Sequence, residues 1–248
     1  GMFDRRPIFQ LFADKYEVRD FVRQRVGERY LSEVFYIGNR PTELPFDRFP
    51  QQFVVKPTHG SGWVRLVTDG AAADRAAIRR ECESWLARSY YRHSREWNYR
   101  HVEPRIVVEE YLTDGSASTP PDYKLFVFDG RVQMIEVHFD RFGDHRYNAY
   151  DSDWNRLDVG KIVDRKAVGR GPEHQPKPDN LSEIVGVAEA LAADLDFLRV
   201  DLYNLNGRIV FGELTPMPGG GFDPFVPESF DYQLGALWQL RRPSLLPG

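Results

Sequence analysis

Asp129-Gly130, set between two runs of alternating apolar residues, constrains this chain more than any other feature. Two adjacent residues that tolerate positive φ form the tight turn whose twist suits antiparallel strands. DYKLFVF (122–128) and RVQMIEVHF (131–139) are therefore expected to pair as a hairpin, with residue 128 opposite 131. A second hairpin is expected where FLRVDLY (197–203) and RIVFGEL (208–214) flank Leu205-Asn206-Gly207. With 248 residues, 42% of them hydrophobic, the chain can bury a sizeable core.

The remaining pattern is read in the same way. Val18, Phe21, Val22 and Val26 predict a helix over 14–26 with Asp14 as N-cap. A short strand is expected over 33–37, and FVVKP (53–57) reads as a buried strand that stops at proline. WVRLVT (63–68) returns from the turn THGSG, and Ile78, Trp85 and Leu86 share a face of a long helix over 72–91. RIVVEEYL (105–112) is a strand, followed by a polar loop over 113–121. Residues 140–178 read as a long polar segment, and loops of that length are often functional. A helix is expected from Asp179 or Asn180 to about Asp194, with Glu183 placed for a capping box. No internal repeat and no linker between independent domains is visible, so a single domain over 1–248 is expected.

Charge and composition exclude some partners. A net charge of −4 gives no electrostatic reason to expect nucleic acid or an acidic membrane. No apolar run approaches the roughly 18 to 20 residues of a membrane span. The charged start (Asp4, Arg5, Arg6) lacks the core of a signal peptide, and Gly1 ahead of Met2 reads as the remnant of a removed tag. The single cysteine, Cys82, suits a reducing compartment. The expected setting is the cytoplasm.

Three groups of residues carry chemistry. Lys56 ends a strand just before His59-Gly60-Ser61-Gly62, a way to hold a polyphosphate on backbone N–H groups and an ammonium. The same residues also suit a solvated lysine beside an ordinary turn. In the last hairpin Asp201 and Glu213 lie in apolar runs, where an unpaired carboxylate is costly. A two-residue Asn206-Gly207 turn would put them on opposite faces. A three-residue loop with Gly207 left-handed pairs 204 with 208, and then Arg199, Asp201, Glu213 and Thr215 share one face. Such a face could clamp magnesium, or form a structural network around Arg199. In the middle hairpin, Asp122, Lys124 and Arg141 are expected on one side, as a ribose or phosphate site or as a solvated face. Of the adjacent Glu109 and Glu110 only one can point inward, unless the pair marks a charged edge strand.

Taken in order, ADKYEVRDFV, FVVKPTHGSG, EWNYR, EPRIVVEEYL, DYKLFVFDGRV with FDR, and FLRVDLYNLNGRIVFGELT with its glycine-rich tail resemble the ATP-grasp superfamily. Within it the chain is most similar to the teichuronopeptide-biosynthesis (TupA-like) family, over roughly residues 12–235. The resemblance implies two α+β lobes with antiparallel sheets that grip ATP, about 45–112 and 113–235, with 12–44 as an N-terminal helix and connection. Lys15 and Lys56 would contact phosphates, and 59–62 would fold over them. Glu109 would accept from the adenine amino group, with backbone from Glu110 to Leu112 completing that contact. Asp122 and Lys124 would lie near ribose and phosphates, and Asp201 and Glu213 would bind Mg²⁺. Arg141 and Arg199 would steady the transferring phosphoryl group or an acidic substrate. Two features depart from the superfamily pattern. Thr215 stands where asparagine commonly ends the metal motif, and the usual preceding α/β domain is missing from this sequence. Acceptor recognition would then fall to 139–178, to 215–227, or to a partner protein.

The implied chemistry is ADP-forming: a carboxylate takes the γ-phosphoryl group, and an amine displaces phosphate from the acyl phosphate. The expected partners are ATP and a carboxylate-bearing substrate, an amino acid or a uronic-acid sugar, in cell-surface polymer synthesis. An ATP-grasp phosphotransferase and a nucleotide- or carbohydrate-binding protein with little catalysis are the competing readings.

Overall fold

The computed structural model describes residues 4–116, 119–140, 143–163 and 166–239. The chain divides between Thr113 and Asp114 into two compact units, each built on its own sheet.

The first unit contains helices α1 (Pro7–Ala13), α2 (Val18–Arg25), α3 (Arg75–Leu86) and α4 (Tyr90–Ser94). Its strands are β1 (Val34–Gly38), β2 (Phe53–Pro57), β3 (Arg65–Val67) and β4 (Ile106–Glu110), all antiparallel in the order β1-β4-β2-β3. Alternation along β2 and β4 sends Phe53, Val55, Ile106 and Val108 to one face, where they pack with Ile78, Cys82 and Trp85 of α3. Cys82 has 0% exposure, and burial pushes its thiol up to about 12.

Local chemistry moves several of the expected boundaries. The carboxylate of Asp14 accepts the N–H groups of Tyr16 and Glu17, at 2.9 and 3.1 Å, and so closes a turn. The helix therefore starts at Val18 rather than at Asp14. The helix expected over 72–91 begins after Asp74, whose side chain caps the N–H of Ala77 at 2.9 Å, and it ends at Leu86. α4 then stops at Arg95, which takes a left-handed φ of 61°. β4 lies between β1 and β2, so the edge-strand reading of Glu109 and Glu110 does not hold.

The second unit contains β5 (Asp122–Phe128), β6 (Arg131–Phe139), β7 (Arg146–Tyr150), β8 (Arg156–Leu157), β9 (Gly160–Val163), β10 (Lys166–Ala167) and β11 (Gly169–Arg170). α5 (Leu181–Ala192), β12 (Phe197–Leu205), β13 (Arg208–Thr215), β14 (Phe225–Val226) and α6 (Glu228–Ala236) follow. The main sheet runs β11-β7-β6-β5-β12-β13 with β8 beside β7, and β10-β9-β14 form a smaller sheet. Leu181, Ile184, Val187, Ala188 and Leu191 of α5 are buried at helical spacing, and α5 packs on β5, β6 and β12. No capping box forms at Asn180, because its side chain bonds Asn204 and the Gly207 carbonyl in the β12–β13 turn.

The segment 140–178 departs most from expectation. Its described residues form β7 to β11, and Tyr147, Asn148, Ala149 and Tyr150 are buried. Strands this short carry too few residues for alternation to show in the sequence.

Candidate functional site

Register decides which side chains meet on the second unit's sheet, since a one-residue slip sends every side chain of a strand to the other face. Both hairpins close with two-residue turns of positive φ: Asp129 (46°) with Gly130 (75°), and Asn206 (52°) with Gly207 (97°). The first pairs Phe128 with Arg131, as expected. The second pairs Leu205 with Arg208, so the three-residue loop expected there is not formed, although Gly207 does take positive φ.

Each hairpin then carries one extra residue inside a strand. Phe126 faces Met134 while Val127 faces Val132, which leaves Gln133 as a bulge in β6. Asp201 faces Glu213 while Leu202 faces Phe211, which leaves Gly212 as a bulge in β13. Gly212 suits that place, because a Cβ there would lie 3.1 Å from the Asp201 carbonyl oxygen. Asp201 with Glu213, and Arg199 with Thr215, are therefore direct cross-strand pairs. They share one face, as expected, but the strand bulge achieves this and not the turn.

Lys124 pairs with Asp201 across β5 and β12, so its side chain joins the same face. Its ammonium donates to Asp122 at 2.7 Å and to Asp201 at 2.6 Å. Arg199 grips Asp201 through Nε and Nη2 at 2.6 and 2.7 Å, and Nη2 also donates to the Thr215 hydroxyl at 2.9 Å. Burial alone would raise the Asp201 pKa, but Arg199 and Lys124 outweigh it and hold the carboxyl well below the usual range. The Glu213 carboxylate, half-buried, has no hydrogen-bond or ion-pair partner among the described residues.

The β6 bulge adds residues that sequence reasoning missed. Glu136 has 0% exposure and accepts from His138 Nε2 at 2.9 Å and from Lys161 Nζ at 3.1 Å. Burial opposes its ionisation, yet Lys161 and His138 lower its pKa to about 2. Burial, the largest influence on His138, lowers the pKa of that imidazole. With its Nε2 proton directed at Glu136, its Nδ1 accepts from His145 Nε2 at 2.7 Å. Glu136 stands in an apolar run just as Asp201 does, and that was the available signal. Lys161 lies in the segment that gave none. Arg141 is outside the described residues.

The face thus gathers four carboxylates, Asp122, Glu136, Asp201 and Glu213, with three cations, Lys124, Lys161 and Arg199. Asp201, Glu213 and Thr215 offer oxygen only, which suits a hard ion such as Mg²⁺ that draws its other ligands from phosphate and water. Among the described residues no group of three or more His, Cys, Asp or Glu is set to hold a metal by itself.

In the first unit, Lys56 and Glu109 lie on the sheet face opposite the α3 core and form an ion pair. Ser32 donates to Glu109 at 3.3 Å, and Arg19 donates to Ser32 at 3.2 Å. Glu110 turns to the other face and accepts the N–H of Glu33 at 3.2 Å. Leu112 follows the end of β4, half-buried. The Lys15 ammonium donates to the Gly60 carbonyl, which fastens it to the 59–62 turn. Gly60 has no room for a side chain, since a Cβ would sit 2.6 Å from the Trp63 ring. Gly62 takes a φ of 73°, and Ser61 between the two is half-buried. His59 is 3% exposed, and its Nε2 points at the carbonyls of Trp85 (3.0 Å) and Arg88 (3.2 Å). Burial lowers its pKa, and the neutral ring anchors the turn to the end of α3.

Comparison with known proteins adds the following. The sequence model described as TupA-like ATPgrasp matches residues 3–239. No curated protein matches. Among solved structures, a D-alanine–D-alanine ligase from Bacillus anthracis is similar with a TM-score of 0.54 and 19% identity, over 92% of this chain and 66% of that one. An L-amino acid ligase from Bacillus licheniformis gives 0.52 and 18%, over 86% and 44% of the two chains. The ATP-grasp ligase PsnB, in complex with a precursor variant, Mg and ADP, gives 0.50 and 14%, over 94% and 61%. The chain therefore spans between 44% and 66% of the length of these proteins.

Proposed function

The chain belongs to the TupA-like ATP-grasp family and has the ATP-grasp fold, and on that premise we propose that it is an Mg-ATP-dependent carboxylate–amine ligase serving the synthesis of a bacterial cell-surface polymer. The observation that carries this reading is the cross-strand pair Asp201–Glu213, flanked by Lys124 and Arg199. Two carboxylates beside two fixed cations suit a metal-bound polyphosphate, because the charge that must be neutralised during phosphoryl transfer is met by groups already in place. The bound nucleotide and ADP with Mg in similar ligase structures support the same reading.

Mg-ATP supplies the phosphoryl group that converts a carboxylate into a reactive acyl phosphate. Asp201, Glu213 and Thr215 would hold the metal. Lys56, Lys15 and the backbone of 59–62 would bind phosphates, with a phosphate oxygen replacing Glu109 as the partner of Lys56. Glu109, so released, would accept from the adenine amino group, beside backbone from Glu110 to Leu112. Asp122 and Lys124 would orient ribose and phosphate, and Arg199 with Arg141 would steady the transferring group or the acid. The two units are assigned as the two lobes of the fold. The acid is an amino acid or a uronic-acid sugar, and acceptor recognition falls to 139–178, to 215–227 or to a partner protein. No described helix is long and apolar enough to cross a membrane, and the cytoplasm is the proposed setting.

The test is a screen of amino acids and uronic acids for ADP release, with hydroxylamine present. The expected result is ADP, phosphate and a hydroxamate of the acid. AMP with pyrophosphate, or a phosphorylated alcohol, would reject the ligase.

A further inference from the structure

On the second unit's face, Glu136, His138, His145 and Lys161 are left unused by the metal and phosphate assignments. They form one hydrogen-bonded series that runs outward from the core. Lys161, on β9, donates to both oxygens of Glu136, at 3.1 and 3.2 Å. His138 Nε2 donates to Glu136 at 2.9 Å, and His145 Nε2 donates to His138 Nδ1 at 2.7 Å. Glu136 is fully buried, His138 is buried, and His145, just before β7, is half-buried. The two imidazoles stack with ring centroids 5.0 Å apart, and the ring of Tyr147 backs His138 at 5.6 Å.

A structural role covers only the inner half of this series. The ion pair with Lys161 already compensates the buried charge of Glu136, and no second imidazole is needed for that. A metal site does not account for it either. Both nitrogens of His138 are engaged, one as donor and one as acceptor, so that ring has no lone pair for an ion. What the series does provide is a histidine of fixed orientation with a carboxylate behind it. While the proton of His138 points at Glu136, His145 keeps its own proton on Nε2 and gains a second one on Nδ1. The imidazolium so formed is supported, through His138, by the negative charge of Glu136. Burial favours the neutral form of His138. The ionisable groups that face it are Glu136, Asp122, Lys124, Tyr147 and His145, with Lys161 beyond Glu136.

The register places this series beside the proposed metal ligands. Glu136, Lys124, Asp201 and Glu213 form one row across β6, β5, β12 and β13. Strands lie about 4.8 Å apart, which puts Glu136 about 10 Å from Asp201. His138 is the next residue of β6 on the same face, opposite Asp122. We propose that His145 is the general base for the amine that attacks the acyl phosphate, with His138 and Glu136 as its positioning residues. This assignment rests on the ligase reading. The amine nitrogen forms the C–N bond with its lone pair and passes one proton to His145 Nδ1. The C–O bond to phosphate breaks, its electron pair leaves with the phosphate, and the proton held by His145 is returned to that phosphate. The other carboxylates of this face are committed elsewhere. Asp122 and Asp201 accept from Lys124, Glu213 is assigned to the metal, and Glu136, with a pKa of about 2, is too weak a base.

Two measurements test this. Nitrogen-15 NMR of the intact, histidine-labelled protein requires no substrate. His138 is expected as the Nε2–H tautomer, and His145 as the ring of the two that gains a proton when pH is lowered. The opposite tautomer, or protonation of His138 first, would overturn the proposal. The second measurement uses the acid found by the ADP screen, with hydroxylamine or each of the twenty amino acids as nucleophile, and reads the products by mass spectrometry. Hydroxylamine is largely neutral near neutral pH and reports the acyl phosphate, whereas an amino acid must lose a proton to react. His145→Gln is expected to lower amide formation relative to hydroxamate formation by about 100-fold or more. Glu136→Gln should lower the same ratio by about tenfold and move the rising limb of its pH profile to lower pH, because the charge supporting the imidazolium is gone. A ratio unchanged by His145→Gln, or wild-type protein that yields hydroxamate but no amide, rejects the base. Wild-type protein that yields no hydroxamate rejects the ligase reading and the base with it.

Discussion

Asp201 and Glu213 face each other across one hairpin, yet they should respond differently to loss of charge. Asp201 neutralises Arg199 and Lys124 in a buried setting. Asp201→Asn leaves both cations short of a partner and is expected to cost about 3–5 kcal/mol, read from urea unfolding. Glu213 forms no hydrogen bond or ion pair among the described residues and acts on Arg199 only through its charge. Glu213→Gln should change stability by less than about 0.5 kcal/mol while removing magnesium-dependent ATP binding in calorimetry. Retained binding in that variant would remove Glu213 from the metal site. Glu136 supplies a pH prediction. Its pKa falls from 4.5 to about 2 on folding, so the stability it confers is fully present above pH 4.5 and is lost as pH falls towards 2. Glu136→Gln should flatten the stability profile across that window, and a profile unchanged by the substitution would contradict the buried pairing.

The bulges are the elements on which the arrangement of the face depends. Gly212→Val crowds the bulge, where a Cβ lies 3.1 Å from the Asp201 carbonyl oxygen, and should favour regular pairing with residue 212 opposite Asp201, which carries Glu213 and Thr215 to the opposite face. The expected outcome is a folded protein by circular dichroism that no longer binds Mg-ATP. The Asp129-Gly130 turn was legible, whereas at Asn206-Gly207 the sequence reading places a three-residue loop where a two-residue turn forms. Gly212 carries a sign that the sequence reading does not use, since glycine within a strand often marks a bulge, and that reading places the bulge at Gly207, five residues earlier. Gln133 carries no such sign, since an exposed glutamine in a strand has no property peculiar to a bulge. The nucleotide-side residues Lys56 and Glu109 could be named from sequence, while their ion pair depends on β4 lying beside β2, a long-range pairing with no local mark. The small strands β7 to β11 escaped for a different reason. Tertiary burial of residues such as Tyr147 holds them in place more than any pattern of their own.

For the whole molecule, Mg-ATP is expected to raise the melting temperature by preferential binding to the native state. At a hundredfold excess over Kd the gain is about 2.7 kcal/mol, or roughly 5–10 °C for a chain of this size. Lys56→Ala in the first unit and Glu213→Gln in the second should each remove most of that shift, and a shift that survives both would contradict the nucleotide assignments. The core of the first unit also determines what kind of opening can be followed in a chain with two units. Cys82 is the sole cysteine, has 0% exposure, and its thiol is pushed up to about 12. A thiol reagent at neutral pH meets neither an accessible sulfur nor a thiolate until the packing around α3 gives way. Labelling is therefore a stopwatch started by the excursions of one half of the protein and deaf to those of the other, built in without any added probe.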